Sequence, residues 1–214
     1  MKSPTLIPVI GVDIGQRRDP TAIAVVEVEV RPANSAPQVC EEAHYLVRFL
    51  GRLPLGTPYP EVVRRIEKLC RQVRDRSGRA PVLFVDATGV GLPVVDQIRA
   101  ARPLVQRLEA VLFTGGNRRT ERPAEGRVIL GKAQMVSRLQ ALLHCYRIHL
   151  PQGPEASALA SELLNFEIRV DENAHLRSGA FRVGTHDDLV TALGLAVQKE
   201  PTRIAAKGVD CFEL

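Results

Sequence analysis

The feature that most constrains this chain is a change of hydrophobic period along its length. As far as residue 50 the apolar residues come in strand-length runs. From Pro60 they recur at helical spacing, and at residues 81–86 (PVLFVD) they form an unbroken run that ends in a carboxylate. Alternation marks a half-buried strand, i, i+3, i+4 spacing an amphipathic helix, and a short unbroken run a strand covered on both faces. Strands first, then helices alternating with covered strands, is the order of an α/β domain. Its mixed sheet has three antiparallel strands followed by parallel ones and is flanked by helices.

Residues 8–14 (PVIGVDI) and 21–30 (TAIAVVEVEV) flank a turn-rich hexapeptide, 15–20 (GQRRDP), and predict a hairpin. Residues 31–42 carry Pro, Asn and Ser and are expected to form a loop, and 43–50 (AHYLVRFL) supplies a third strand. Val62, Ile66, Leu69 and Val73 form the apolar stripe of a helix whose other faces are largely basic. A glycine turn at 87–92 (ATGVGL) leads into a helix from Pro93 to about Ala101. Residues 108–113 are a strand, and 132–146 a helix on Val136, Leu139, Leu143 and Tyr146. A short strand at 148–150, a helix at 155–166 and a weak hairpin at 166–183 follow. A helix at 186–198 (HDDLVTALGLAVQ) closes the domain, its Ala and Gly allowing tight packing on a sheet. Residues 114–131 have no periodicity and are expected to be a long loop, functional or disordered. Residues 1–200 then make one domain and 201–214 a tail.

A chain of 214 residues, 45% hydrophobic and 25% charged, can bury roughly 70% of its unfolded surface without disulfides or a structural metal. Cys40, Cys70, Cys145 and Cys211 are far apart, with no CxxC pair, and are expected to be mostly buried thiols. No apolar run approaches the roughly 18 residues of a membrane span, and the N-terminus lacks the apolar core of a signal peptide. The expected location is therefore the cytoplasm, with no membrane partner. Of 29 basic residues 24 are Arg, whose planar fork suits phosphate oxygens, although a GC-rich coding sequence produces the same bias.

Three acidic positions share a placement. Asp13 ends the first strand, Asp86 ends the first covered strand, and Asp187 and Asp188 open the last helix. If the two strands are neighbours, their carboxylates lie together at the sheet edge where α/β folds hold ligands. Two carboxylates about 4 Å apart repel by roughly 4 kcal/mol at an effective dielectric of 20, so the set calls for protons or a cation. Mg²⁺ or Mn²⁺ suits oxygen ligands, and two such ions would clamp the attacking and leaving oxygens of a phosphodiester. Each acid also has a structural reading: turn former or, for Asp187 and Asp188, helix N-cap. Adjacent helical residues project about 100° apart, so one of that pair is expected to face the ions.

Gly11-Val12-Asp13-Ile14-Gly15 with Asp19-Pro20-Thr21-Ala22-Ile23, then Val85-Asp86-Ala87-Thr88-Gly89-Val90-Gly91, then His186-Asp187-Asp188-Leu189-Val190-Thr191-Ala192-Leu193, together resemble the nuclease domain of phage large terminase subunits. The His-Asp-Asp-Leu-Val segment is the most specific part. The resemblance covers residues 8 to about 198 and implies a ribonuclease H-like fold. It further implies an endonuclease that cleaves double-stranded DNA with two Mg²⁺ or Mn²⁺ ions, in which Asp13, Asp86, Asp187 and Asp188 are catalytic, metal-binding carboxylates. By the same resemblance the protein is phage or prophage encoded and acts in DNA packaging in a bacterial host cell. A full large terminase carries an ATPase motor before the nuclease, and none is expected here. A separate motor or other packaging proteins are thus candidate partners.

Residues 126–133 (GRVILGKA) come near a phosphate loop. They fail because Ala133 stands where the loop needs a hydroxyl, bulky Val-Ile-Leu fills the loop, and no clear strand precedes it. Arg118, Arg119, Arg122 and Arg127 in the 114–131 segment, with Lys132, are the expected DNA-backbone contacts. Three other readings compete. One is a Holliday-junction resolvase-like nuclease, another a sugar- or acetate-kinase-like ATP binder through Asp13-Ile14-Gly15. The last is a DNA-binding module without catalysis.

Overall fold

The covered strand at the centre of the sequence argument sits at the centre of the molecule. The computed structural model describes residues 6–32, 41–170, 176–179 and 186–198. Three strands open the chain, β1 (Ile7–Asp13), β2 (Ala22–Pro32) and β3 (Glu41–Arg52), paired antiparallel in sequence order. The period then becomes helical in α1 (Tyr59–Ser77). β4 (Val82–Asp86) returns parallel to β1, and α2 (Gly91–Ala101) leads to β5 (Arg107–Thr114), parallel to β4. β6 (Arg119–Arg122) and β7 (Arg127–Gly131) follow, with β7 parallel to β5 and β6 antiparallel on the edge. α3 (Lys132–His144), β8 (Ile148–His149) and α4 (Pro154–Asn165) come next. A small antiparallel pair, β9 (Glu167–Val170) and β10 (Leu176–Gly179), precedes α5 (Asp188–Ala196). The large sheet runs β6-β7-β5-β4-β1-β2-β3-β8.

Strand alternation sends successive side chains to opposite faces, and two cores result. Ile10, Val12, Leu83 and Val85 pack with α1 and α2 through Val62, Ile66, Val94 and Ile98. Val9, Val82 and Phe84 face the other way, toward α3, α4 and α5. The fold is thus the mixed, helix-flanked sheet that the periodicity predicts. Every residue of α5 is buried, so this short apolar helix lies inside the molecule. Among the described residues no helix is long and apolar enough to cross a membrane.

Several local expectations need correction. Residues 114–131 are not one loop: 119–122 and 127–131 are strands around a 3-10 turn at Pro123–Glu125. β6 reads RTER and sits on an edge, where charged side chains face solvent and leave no apolar period. The loop expected at 31–42 is shorter, because β2 reaches Pro32 and β3 begins at Glu41. In α1 the buried positions are Val62, Val63, Ile66 and Cys70, a stripe rotated from the expected one, with Leu69 and Val73 at its margin. Tyr146 is not on the α3 stripe; it follows the helix with φ +55° and is 85% exposed, where the chain turns toward β8. Cys70 is buried but Cys145 is exposed. Cys40, Cys211 and the tail at 201–214 lie outside the described residues.

Candidate active site

Asp13 and Asp86 end neighbouring parallel strands one residue beyond the register pair Val12–Val85. By alternation both point to the face that carries α5. That helix comes unusually close because of Gly11: a Cβ there would lie 2.1 Å from the Ala192 carbonyl oxygen and 2.6 Å from the Ala196 nitrogen. Backbone packs on backbone, and the start of α5 is brought over the strand ends. Asp13, Asp86, Asp187 and Asp188 line one open cleft of about 620 Å³, together with Lys132 and Thr191.

The first two acids are under electrostatic load. Burial, then the charges of Asp86 and Asp187, push the Asp13 carboxyl well above the usual carboxylate range, against a smaller opposing effect of Lys132. Burial also raises Asp86, offset by its hydrogen bonds from Thr88 and by Lys132. The Thr88 N–H donates to Asp86 Oδ1 at 2.8 Å, and the Thr88 hydroxyl oxygen accepts from the Phe113 N–H at 2.9 Å. This fastens the strand end to the next strand. A proton or a cation between the two carboxylates relieves the load.

The two acids of α5 have parted company. Asp187 occupies the N-cap position but makes no side-chain cap; its Oδ2 lies 3.2 Å from Lys132 Nζ. Asp188, 2% exposed, accepts from Arg52 Nε at 2.6 Å and from a second Arg52 nitrogen at 3.2 Å. The same guanidinium also bonds Glu162 of α4, whose other oxygen accepts from the Val190 N–H at 3.0 Å. Sequence reasoning missed Arg52 and Glu162. The signals were a cation at the end of β3 and a lone acid one position before Leu163 on the apolar side of α4.

Lys132 starts α3, where a cation opposes the helix dipole, so its placement serves the cleft rather than the helix. Its ammonium also lies 5.9 Å from the Phe113 ring centre. His186 sits on the rim, its Nδ1 3.3 Å from Asp19 Oδ1. The structure does not gather the four arginines into the cleft. Arg119 pairs with Glu121 and bonds Gln198, Arg122 and Arg127 pair with Glu125, and Arg118 is exposed just before β6. Residues 127–131 are extended strand, so no phosphate-cradling loop exists there. Among the described residues no group of three or more His, Cys, Asp or Glu side chains is placed to hold a metal ion; Arg52 and Lys132 hold the α5 pair.

No family model and no curated protein matches the sequence. Solved structures do. The large terminase nuclease from thermophilic phage G20c with bound magnesium superposes with a TM-score of 0.62 at 21% identity, covering 93% of this chain and 85% of that one. The large terminase nuclease domain of Thermus phage P74-26 gives 0.55 at 18% identity, over 89% of this chain and 78% of that one. The human cytomegalovirus terminase nuclease domain gives 0.52 at 15%, over 90% and 83%. The fold is that of the large terminase nuclease domains. This ribonuclease H-like fold accounts for the sheet order, and its terminase versions match nearly the whole chain.

Proposed function

We propose that this chain is a divalent-metal-dependent endonuclease that hydrolyses phosphodiesters of double-stranded DNA, as in terminase-driven packaging. The observation that carries the reading is the pairing of Asp13 and Asp86 at adjacent strand ends under the start of α5, on a terminase nuclease fold. The donor set fits hard cations: two carboxylates raised by burial, Asp13 further by the charges of Asp86 and Asp187, with Asp187 beside them. Asp13 and Asp86 would hold Mg²⁺ or Mn²⁺, with Asp187 joining once it leaves Lys132. Two bound ions would activate water for in-line attack and neutralise charge on the leaving oxygen.

The chain's own residues supply the rest. Arg52 and Glu162 fix Asp188 and hence the first turn of α5, which sets where Asp187 projects. Lys132 balances the carboxylates until a phosphate enters and then serves as its counter-charge.

The test is cleavage of supercoiled plasmid with Mg²⁺, Mn²⁺ or EDTA. The expected result is cation-dependent nicking or linearisation, lowered at least about 100-fold by Asp13→Asn or Asp86→Asn. Cleavage that persists in EDTA, or that ignores both substitutions, overturns the reading.

A further inference from the structure

We infer that the solvent face of α1 is the track along which duplex DNA lies as it enters the cleft; this rests on the nuclease reading and adds a binding surface to it. Residues 64–79 carry seven cations against Glu67 and Asp75, a local excess of +5. At 100° per residue, Arg64, Lys68 and Arg71 fall within about 40° of the direction opposite the buried Ile66, on an outermost stripe that they share with Glu61 and Asp75. Glu61 engages Arg64 at 2.8 Å and Arg65 at 3.1 Å. Among the described residues, Lys68, Arg71, Arg74, Arg76 and Arg79 make no ion pair.

The contrast with β6 and β7 decides the location. There Arg119, Arg122 and Arg127 are matched by Glu121 and Glu125 on the same ribbon, so its local field is weaker. α1 is also joined to the cleft. Tyr59, its first residue, lines the wall that holds Asp13 and Asp86, alongside the exposed Arg17 and Arg18 of the β1–β2 turn. From that wall the helix runs 19 residues, roughly 28 Å, about the length of eight base pairs. The outermost stripe has no aromatic side chain on which an unpaired base could stack, so the partner is duplex phosphate rather than a single strand.

The experiment is fluorescence anisotropy of a labelled 30-base-pair duplex (about three helical turns) in EDTA, with the full chain and a salt series. Two α1 triples are compared, Arg64→Gln/Lys68→Gln/Arg71→Gln and its glutamate counterpart. Far-UV circular dichroism melts check that each is folded. The ribbon triple Arg118→Gln/Arg122→Gln/Arg127→Gln is measured beside them. The α1 glutamine triple is expected to weaken binding at least tenfold at about 100 mM salt. It should also reduce the slope of log K against log salt by about 2 to 3. The ribbon triple should lose less than the α1 triple. Unchanged binding by both α1 triples, an equal or larger loss from the ribbon triple, or preferential competition by single-stranded DNA or RNA overturns the inference. Failure of the unsubstituted chain to bind any duplex at low salt counts against the nuclease reading itself.

Discussion

Arg52 Nε donates to Asp188 Oδ2 at 2.6 Å, tying the end of the third strand to the start of the last helix across 136 residues. Glu162 shares the guanidinium, so one cation answers two carboxylates that are 6% and 2% exposed. Arg52→Met leaves both acids buried and uncompensated and should cost about 3–5 kcal/mol in urea unfolding. Arg52→Lys should recover only part of it, since one ammonium lacks the planar fork. Adding Glu162→Gln and Asp188→Asn to Arg52→Met should restore much of the loss. A stability for Arg52→Met equal to wild type would show that the network contributes little.

Asp13 and Asp86 have raised proton affinity in the folded chain. Between the ordinary carboxylate range and neutrality the native state therefore binds more protons than the unfolded state, and stability falls as pH rises. With a chelator present, the melting temperature should be higher near pH 5 than at pH 7. Asp13→Asn should flatten that dependence and raise the pH 7 melting temperature while abolishing cleavage. Added Mg²⁺ should stabilise wild type at pH 7 and leave Asp13→Asn nearly unaffected. A melt that is flat from pH 5 to 7 in the wild type would refute this reading of the pair.

Lys132 lies 3.2 Å from Asp187 and opposes the upward shifts of both strand-end carboxyls. Removing it takes away a like charge that competes with any incoming cation. Lys132→Met should tighten Mn²⁺ binding in the absence of DNA by about tenfold, read by titration calorimetry. The same variant should cleave plasmid more slowly, because the counter-charge for phosphate is lost. Weaker Mn²⁺ binding would reverse the assigned role.

Gly11 is the place where the packing tolerates least. A methyl group there meets the Ala192 carbonyl at 2.1 Å, and both contacts are main chain, so no rotamer change relieves them. Gly11→Ala should destabilise by about 3 kcal/mol, the upper part of the usual overpacking range, and lower activity by shifting α5. Equilibrium unfolding with a parallel plasmid assay reads both effects. Val9→Ala, on the same strand and face, should instead cost stability with less loss of cleavage in the surviving folded fraction.

The antiparallel opening and the placement of Asp13 and Asp86 at strand ends were legible because both strands are apolar runs with an acid at the end; that the two strands are neighbours was a condition that the structure meets. Pairing such runs side by side leaves the acids few other places. Residues 119–122 were not legible as a strand, since an exposed edge is held by backbone hydrogen bonds that leave no mark on side-chain type. Arg52 was equally silent, because its partners lie 110 and 136 residues away and no local pattern encodes them. Asp187 and Asp188 were legible as a pair but not as individuals. What separates them is which cation each one meets, and Lys132 and Arg52 come from two different elements.

The glycine under α5 has a wider consequence. The gap between the first strand and the last helix is set by main-chain atoms at Gly11, Ala192 and Ala196, with no bulky side chain between them. Such a spacer keeps its thickness whatever residues fill the two cores around it. Side-chain volumes elsewhere can drift a long way before the carboxylates separate. That insulation suits a fold of which the three solved examples named above share only 15–21% of their residues with this chain over about nine-tenths of its length.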